Sequence, residues 1–155
     1  MSANNDLVEV LNDLIQINND RIEGYNRASG EAKNIDVDLI AIFDKMADES
    51  HKYVAELTAE VGRLGGEPTT STTTSGKIYR VWMDVKATFT GKDRHAILAS
   101  CEFGEDAAQK AYQQALESDA AMDSEVRQLI ATQKSSLKSS HDIIKKYRDM
   151  HEMAK

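Results

Sequence analysis

Four amphipathic stretches and one long connection constrain the fold of this chain most. In each stretch, apolar residues recur at spacings of three, four and seven, as expected for helices with one buried face. A connection of 29 residues, 65–93, separates the second stretch from the third. Antiparallel neighbours in a bundle usually need only about two to eight residues between them, so this length indicates that helices 2 and 3 run parallel. The sequence therefore predicts an all-α four-helix bundle with one long crossover.

Capping and breaking residues set the expected helix bounds. Gly30 is expected to end helix 1, Gly65-Gly66 to end helix 2, and Asp93 to cap helix 3. The crossover should carry a short extra helix near residues 78–89, with Trp82 and Phe89 covering one end of the bundle. We expect one domain over residues 1–155. The predicted long helices are Asp6–Ala28, Asp36–Leu64, Asp93–Leu116 and Asp119–Met150.

Composition narrows the classes of function. The chain has 155 residues, enough for one domain with a real core, and a net charge of −7. An acidic surface repels phosphate backbones, so we expect no nucleic-acid partner. No apolar run reaches the length of a membrane span, and the polar N-terminus lacks a signal-peptide pattern, so we expect a cytoplasmic protein without a membrane partner. Cys101 is the only cysteine, which excludes an intrachain disulfide.

The predicted topology is that of ferritin-like bundles, which often hold two metal ions between facing helices. Such a centre takes a Glu from each of two helices and a Glu-x-x-His pair from each of the other two. Ligands of this kind suit iron or manganese. The candidate metal ligands in this sequence are Glu23, Glu49, His51, Glu102, Glu105 and His141.

Two features argue against a complete di-metal centre. Lys138 stands where the second Glu-x-x-His pair needs its carboxylate, and an ammonium group repels a cation. A helical wheel also places Glu23 away from the buried stripe, and likewise Asp48, the carboxylate three residues before His51. We therefore favour a non-catalytic protein without a cofactor that forms a dimer through one bundle face. The alternative is a ferroxidase-like protein that binds iron or manganese through the six candidates.

A layer of polar residues lies on the predicted buried stripes. These residues are Asn18, Ser50, Glu105, Gln133 and Ser140. Buried polar groups must be hydrogen-bonded internally, and such layers often fix the register of a bundle. We expect amide, serine or tyrosine groups (Tyr25, Tyr53 or Tyr112) to hold the Glu105 carboxylate. On that basis Glu105→Gln should keep the fold, and Glu105→Leu should cost more.

Several short motifs together resemble one bacterial family. They are Cys101-Glu-Phe-Gly-Glu-Asp106, Trp82, the turn Gly65-Gly-Glu-Pro68, the segment Asp20–Tyr25 and Ser140-His-Asp142. The chain is similar over almost its whole length to a family of ferritin-like four-helix-bundle proteins of unknown function. The resemblance implies the ferritin-like fold and, by analogy, a stress-related or metal-related role. It transfers no catalytic residues.

Overall fold

Four long helices make up the part of the chain that the structure describes. The computed structural model describes residues 2–32, 37–69, 94–118 and 120–154. The helices are α1 (Ser2–Ala32), α2 (Val37–Arg63), α3 (Arg94–Glu117) and α4 (Ser124–Ala154). They confirm the predicted all-α four-helix bundle. The expected short helix at 78–89, with Trp82 and Phe89, lies outside the described residues, and so does Asp93.

Side-chain contacts between helices establish their directions. In each contacting pair of helices, later residues of one meet earlier residues of the other, so neighbours are antiparallel. Since α2 and α3 both run against α1, they run parallel to each other, as the crossover length predicted. The pairs are Asn18–Ser50 and Ser29–Asp44 for α1 with α2, Asn18–Tyr112 and Arg21–Glu105 for α1 with α3, Tyr112–Gln133 and Glu102–Arg148 for α3 with α4, and Glu56–Gln133 and Glu49–Ser140 for α2 with α4.

Four predicted helix ends differ from the structure by four or five residues, because α1 spans Ser2–Ala32 instead of Asp6–Ala28 and α4 spans Ser124–Ala154 instead of Asp119–Met150. Helix α1 continues through Gly30 to Ala32, because Gly30 keeps a helical backbone and the Ser29 hydroxyl donates to Asp44 of α2 at 2.9 Å. Helix α4 begins at Ser124 rather than at Asp119. Asp123 is the cap: its carboxylate accepts a hydrogen bond from the Val126 amide at 2.8 Å. The helix therefore starts directly after Asp123, four residues later than the cap that was expected at Asp119.

The end of α2 has the predicted glycine stop. Gly65 has a φ of 80° and is the residue at which the left-handed conformation is needed. The Gly65 amide donates to the Gly62 carbonyl at 3.0 Å, and the Gly66 amide donates to the Val61 carbonyl at 3.0 Å. This pair of bonds is a Schellman motif. The chain then crosses α1, where Asn12 bonds the Glu67 carbonyl and the Thr69 amide.

The buried residues follow the predicted stripes. On helices 1 and 3 every residue of the predicted apolar stripe is buried: Leu7, Leu11, Leu14, Ile15, Ile22 and Tyr25 on α1, and Ile97, Cys101, Gly104, Ala108, Tyr112 and Ala115 on α3. On helices 2 and 4 the stripe is buried apart from five partly exposed residues, Val54, Leu64, Met122, Leu129 and Tyr147. The bundle centre is not wholly apolar, because all five residues of the predicted polar layer are buried as well. No helix in the described segments is long and apolar enough to span a membrane.

Gly104 provides a test of the helix packing on α3. It is buried, whereas Gly62 near the end of α2 is exposed with no atom within 4 Å of an added Cβ. We expect Gly104→Leu to lower the free energy of unfolding by about 1–3 kcal/mol, because a bulky side chain overpacks the seam. Gly62→Leu is the control and should change little. Urea denaturation compares the two variants; an unchanged midpoint for Gly104→Leu would mean that this part of α3 tolerates a large side chain.

Candidate functional site

A buried arginine occupies the centre of the bundle. Arg21 lies on α1 and has no solvent-exposed surface. Its guanidinium pairs with the Glu105 carboxylate of α3 through two contacts, Nε to Oε1 at 2.5 Å and Nη2 to Oε2 at 3.3 Å. This bidentate arrangement is the strongest geometry available to an arginine and a carboxylate. A permanent cation therefore sits where the four helices meet.

The remaining N–H groups of Arg21 bind α2. Nη1 donates to the Met46 carbonyl at 3.1 Å and to the Ser50 hydroxyl at 2.8 Å. Nη2 also lies 3.0 Å from Oε1 of Glu49, whose side chain is 24% exposed. A guanidinium has five N–H donors, and these contacts use all of them. The guanidinium carbon also lies 5.1 Å from the centre of the Tyr25 ring, within the range of a cation–π contact.

A chain of hydrogen bonds leads from Arg21 through the predicted polar layer. Ser50 accepts from Arg21 and donates to Asn18 at 2.9 Å, and Asn18 donates to the Tyr112 hydroxyl at 2.8 Å. Tyr112 donates to Gln133 at 2.6 Å, and Gln133 donates to Glu56 at 3.0 Å. All donors point the same way, from a cation to a carboxylate, and such aligned bonds strengthen one another. Asn18, Ser50, Glu105 and Gln133 thus form one network, as predicted. The charged donor to Glu105 is Arg21, which the sequence analysis did not predict, and Tyr25, one of the expected tyrosines, also interacts with this carboxylate.

The acidic protons near this network are held tightly. Burial raises the pKa of the Cys101 thiol well above its usual value, and the Glu105 charge adds to the effect. Burial likewise raises the pKa of Tyr25 and of Tyr112, and it raises that of Tyr53 to about 12. Burial is the largest single influence on the pKa of Arg21 and lowers it, but the charge and hydrogen bond of Glu105, together with Tyr25 and Glu49, outweigh burial, so the net shift is upward. At neutral pH the site therefore contains a charged arginine, neutral phenols and an unreactive thiol.

The six predicted metal ligands lie in three different places. Glu105 and Glu49 are engaged by Arg21, and Glu49 also accepts a hydrogen bond from Ser140 at 2.8 Å. Glu23 and His51 are exposed on the surface. Glu102 and His141 lie on the seam between α3 and α4. The described structure therefore does not gather the six residues around one point.

The α3–α4 seam brings together a smaller group with suitable donor atoms. Ligand atoms of Glu102, Asp106 and His141 all lie within 4.8 Å of one another. Two carboxylates and an imidazole are a donor set that suits iron(II), manganese or zinc. Nε2 of His141 lies 2.7 Å from Asp106. We call these three residues the seam triad. Asp106 was not among the candidates chosen from the sequence.

Neighbouring groups already neutralise part of the seam triad. Nη1 of Arg148 lies 2.5 Å from Oε1 of Glu102, and Nδ1 of His141 lies 3.1 Å from Asp142. The other carboxylate oxygen of Glu102 is buried and has no hydrogen-bond partner among the described residues, although the side chain as a whole is 16% exposed. A buried carboxylate oxygen without a donor is costly, so the seam triad fits a bound cation at this atom. The charge of Arg148 opposes tight binding.

Arg21, like Asp106, is a site residue that the sequence analysis does not identify. It lies three residues after Asn18 and four before Tyr25, so it falls on the buried stripe of helix 1. That stripe is defined by apolar and short polar residues, and a charged side chain does not fit this pattern. The signal in the sequence is the balance of charge: Glu105 is predicted to lie inside the bundle, and a buried carboxylate needs a cation.

The fold and its centre define the class of protein: a ferritin-like four-helix bundle with an arginine–carboxylate pair between its helices. The chain belongs to the family described as Domain of unknown function (DUF2383), whose model matches residues 6–118. Among solved structures, it is similar to a mutant of Mycobacterium smegmatis Dps1, with a TM-score of 0.77 and 13% sequence identity. That likeness covers 95% of this chain and 97% of the other, and it concerns the fold alone. No curated protein sequence matches the chain.

Proposed function

We propose that this chain is a non-catalytic, cytoplasmic bundle protein whose centre holds a guanidinium in place of a di-metal centre. The single observation that supports this is the saturation of Arg21 by Glu105, Glu49, Ser50 and Met46. An internal metal site would need Glu105 and Glu49 as ligands. A metal ion would have to displace the guanidinium from both, and the two cations would repel each other.

The protonation states of the centre also support a protein without catalytic activity. A nucleophile or general base works when its pKa lies near the operating pH. The pKa shifts of Cys101, Tyr25 and Tyr112 are all upward, away from neutrality. The carboxylate at the centre is held by a permanent cation. None of these groups is therefore prepared to exchange a proton or attack a substrate at neutral pH.

Iron oxidation provides the direct test of this proposal. Protein purified without an affinity tag or chelator is mixed with iron(II) in air, and oxygen consumption is followed. We expect the rate to equal that of buffer, because no pair of metal ions can assemble beside Arg21. A rate that saturates with iron and rises in proportion to protein concentration would show that the ferroxidase-like alternative is correct.

Dimer formation is the second part of the proposal. The chain has a mass of 17.2 kDa, and several large apolar side chains are exposed on the described helices, among them Val37 and Phe103. Covering such groups is a common driving force for association. Light scattering after size exclusion should give twice the mass of one chain. A monomer mass that is unchanged at millimolar protein concentration would rule the dimer out.

A single-cation site at the seam triad is a second candidate function, and the partnerless oxygen of Glu102 is the observation that favours it. We expect manganese or zinc to bind at one ion per chain and weakly, because Arg148 and Asp142 compete for the ligands. Calorimetry of the protein with each metal measures the affinity. His141→Gln should weaken binding by about tenfold or more, as expected for the loss of one ligand.

Surface residues provide the matched controls for the seam triad. His51 and Glu23 are of the same types as two of its members but are exposed elsewhere. His51→Gln and Glu23→Gln should leave the affinity unchanged. If these variants lower it as much as His141→Gln, the metal binds to scattered surface groups and the seam triad is not a site.

A further inference from the structure

A groove runs along the surface between α2 and α4, next to the bundle centre, with which it shares Met46, Glu49 and Ser140. The backbones of these two helices approach each other at few positions, in contrast to α1 with α2 or α3 with α4. Serines 136, 139 and 140 of α4 face this gap and are too small to fill it. Two connected cavities of about 470 and 420 Å³ result, and both are lined by Lys45, Met46 and Ile143.

The cavity of about 420 Å³ has an apolar floor and a lysine on each wall. Its apolar lining comes from Ile42, Met46, Ile143, Tyr147 and Met150. Met150 is 50% exposed and Ile143 is 38% exposed, so a ligand that covers them gains hydrophobic free energy. Methionine side chains adapt to irregular apolar ligands. The lining favours a flexible hydrocarbon chain.

The two lysines determine the charge of the ligand. Lys45 lies on the α2 wall and Lys146 on the α4 wall, and neither forms a salt bridge with a described residue. No carboxylate lines this cavity. Glu49 lines the neighbouring cavity, where Arg21 offsets its charge. An uncompensated basic pair over an apolar floor is unusual in a chain of net charge −7, and it is complementary to an anion.

The size of the cavity selects a small ligand over a helix of another protein. A cavity of about 420 Å³ lies within the range of about 300–1,000 Å³ that is typical of small-molecule pockets. A docked helix is about 10 Å across and rises about 5.4 Å per turn, so three turns of it occupy about 1,300 Å³. Neither cavity is large enough for that volume.

We propose that this groove binds an anionic amphiphile, with its carboxylate between Lys45 and Lys146 and its hydrocarbon chain over Met46 and Ile143. The ligand class is a medium- or long-chain carboxylate. Binding buries the exposed apolar floor and neutralises the basic pair at the same time. Neither Arg21 nor Glu105 lines this cavity, so the proposal does not depend on whether the bundle centre is catalytic.

Calorimetry with decanoate, octanoate and decyltrimethylammonium tests the proposal, each below the concentration at which it aggregates alone. Decanoate should bind at one molecule per chain and roughly fifteenfold more tightly than octanoate, because it has two more methylenes and each one that is buried contributes about a fourfold increase. The cationic decyltrimethylammonium has the same chain length and should bind more weakly than decanoate. Equal affinities for the two charges, or no binding of decanoate, would overturn the proposal.

Paired variants locate the site. Ile143→Asp should abolish decanoate binding, and Lys45→Gln combined with Lys146→Gln should weaken it by roughly threefold to tenfold. Phe103→Asp and Lys110→Gln on α3 make the same chemical changes away from the groove and should have no effect. Decanoate binding that survives Ile143→Asp would overturn the proposal. A second result would also overturn it: the parent protein binds no decanoate and is a dimer, and Ile143→Asp converts that dimer to a monomer. In that case a second copy of the chain would occupy the groove.

Discussion

Replacing Arg21 with methionine is expected to lower the free energy of unfolding by about 3–5 kcal/mol, as found when one partner of a buried ion pair is removed. The change leaves the Glu105 carboxylate buried without its cation and removes the donor to Ser50. Glu105→Leu should cost a similar amount, because it strands the guanidinium. Urea denaturation followed by circular dichroism measures each loss.

The double variant Arg21→Met with Glu105→Leu distinguishes a stranded charge from lost packing. If the penalty arises from the unpaired charge, the double variant should be more stable than either single variant, because both charges are gone. Arg63 forms ion pairs with Glu60 and Asp123 on the surface, so Arg63→Met is the matched control and should change little. Single variants that cost no more than this control would show that the central pair does not stabilise the fold.

The amide variant of Glu105 has a different expected outcome from the one that the sequence suggested. From the polar layer alone, Glu105→Gln was expected to keep the fold, since an amide makes hydrogen bonds in the same space. The structure shows that Glu105 is the bidentate counter-charge of Arg21. A glutamine cannot supply that charge. We now expect Glu105→Gln to be strongly destabilising, although less so than Glu105→Leu.

Alkaline pH is expected to unfold the protein over a narrow range. Three fully buried groups, Cys101, Tyr25 and Tyr112, have pKa values raised above their ordinary values of 9.0 and 10.0. Above those ordinary values the unfolded chain releases these protons while the folded chain keeps them. The unfolded state is therefore favoured as the pH rises, by about 1.4 kcal/mol per pH unit for each group.

The direction of this change in stability and the pH range over which it occurs can both be measured. Stability should begin to fall near pH 9 through Cys101 and fall more steeply from pH 10 through the tyrosines, and Tyr53 adds to the loss up to its pKa of about 12. Urea midpoints measured from pH 7 to pH 11 give the slope. In Cys101→Ala the decline between pH 9 and pH 10 should largely disappear. A stability that stays constant up to pH 11 would contradict the burial of these groups.

Apolar spacing was enough to predict the architecture, because helix periodicity and the length of one connection leave few arrangements for four helices. Helix ends were less predictable. Asp119 and Asp123 are both good caps in sequence, and Asp123 was preferred because it bonds Val126. Gly30 was predicted to end helix 1, but glycine is also compatible with a helical backbone. The hydrogen bond that Ser29 donates to Asp44 of α2 holds the last turn of α1.

The candidate site could be predicted only in part. The buried polar layer follows from the same spacing as the core, so Asn18, Ser50, Glu105 and Gln133 were identified correctly. Their partners depend on where long side chains reach across the bundle, which spacing does not determine. Arg21 extends from α1 to both α2 and α3, and Asp106 meets His141 on a different helix. A contact between helices is a property of the packed structure.

The central guanidinium neutralises the buried Glu105 carboxylate without a bound ion. Bundles that neutralise internal carboxylates with metal ions depend for part of their stability on the supply of those ions, since ligand binding adds to folding free energy. Here the counter-charge is covalently attached to α1, so it is present in every molecule as soon as the chain is made. Neither a chelator nor a shortage of metal ions can remove it. Glu105 therefore has its counter-charge whatever the metal content of the surroundings.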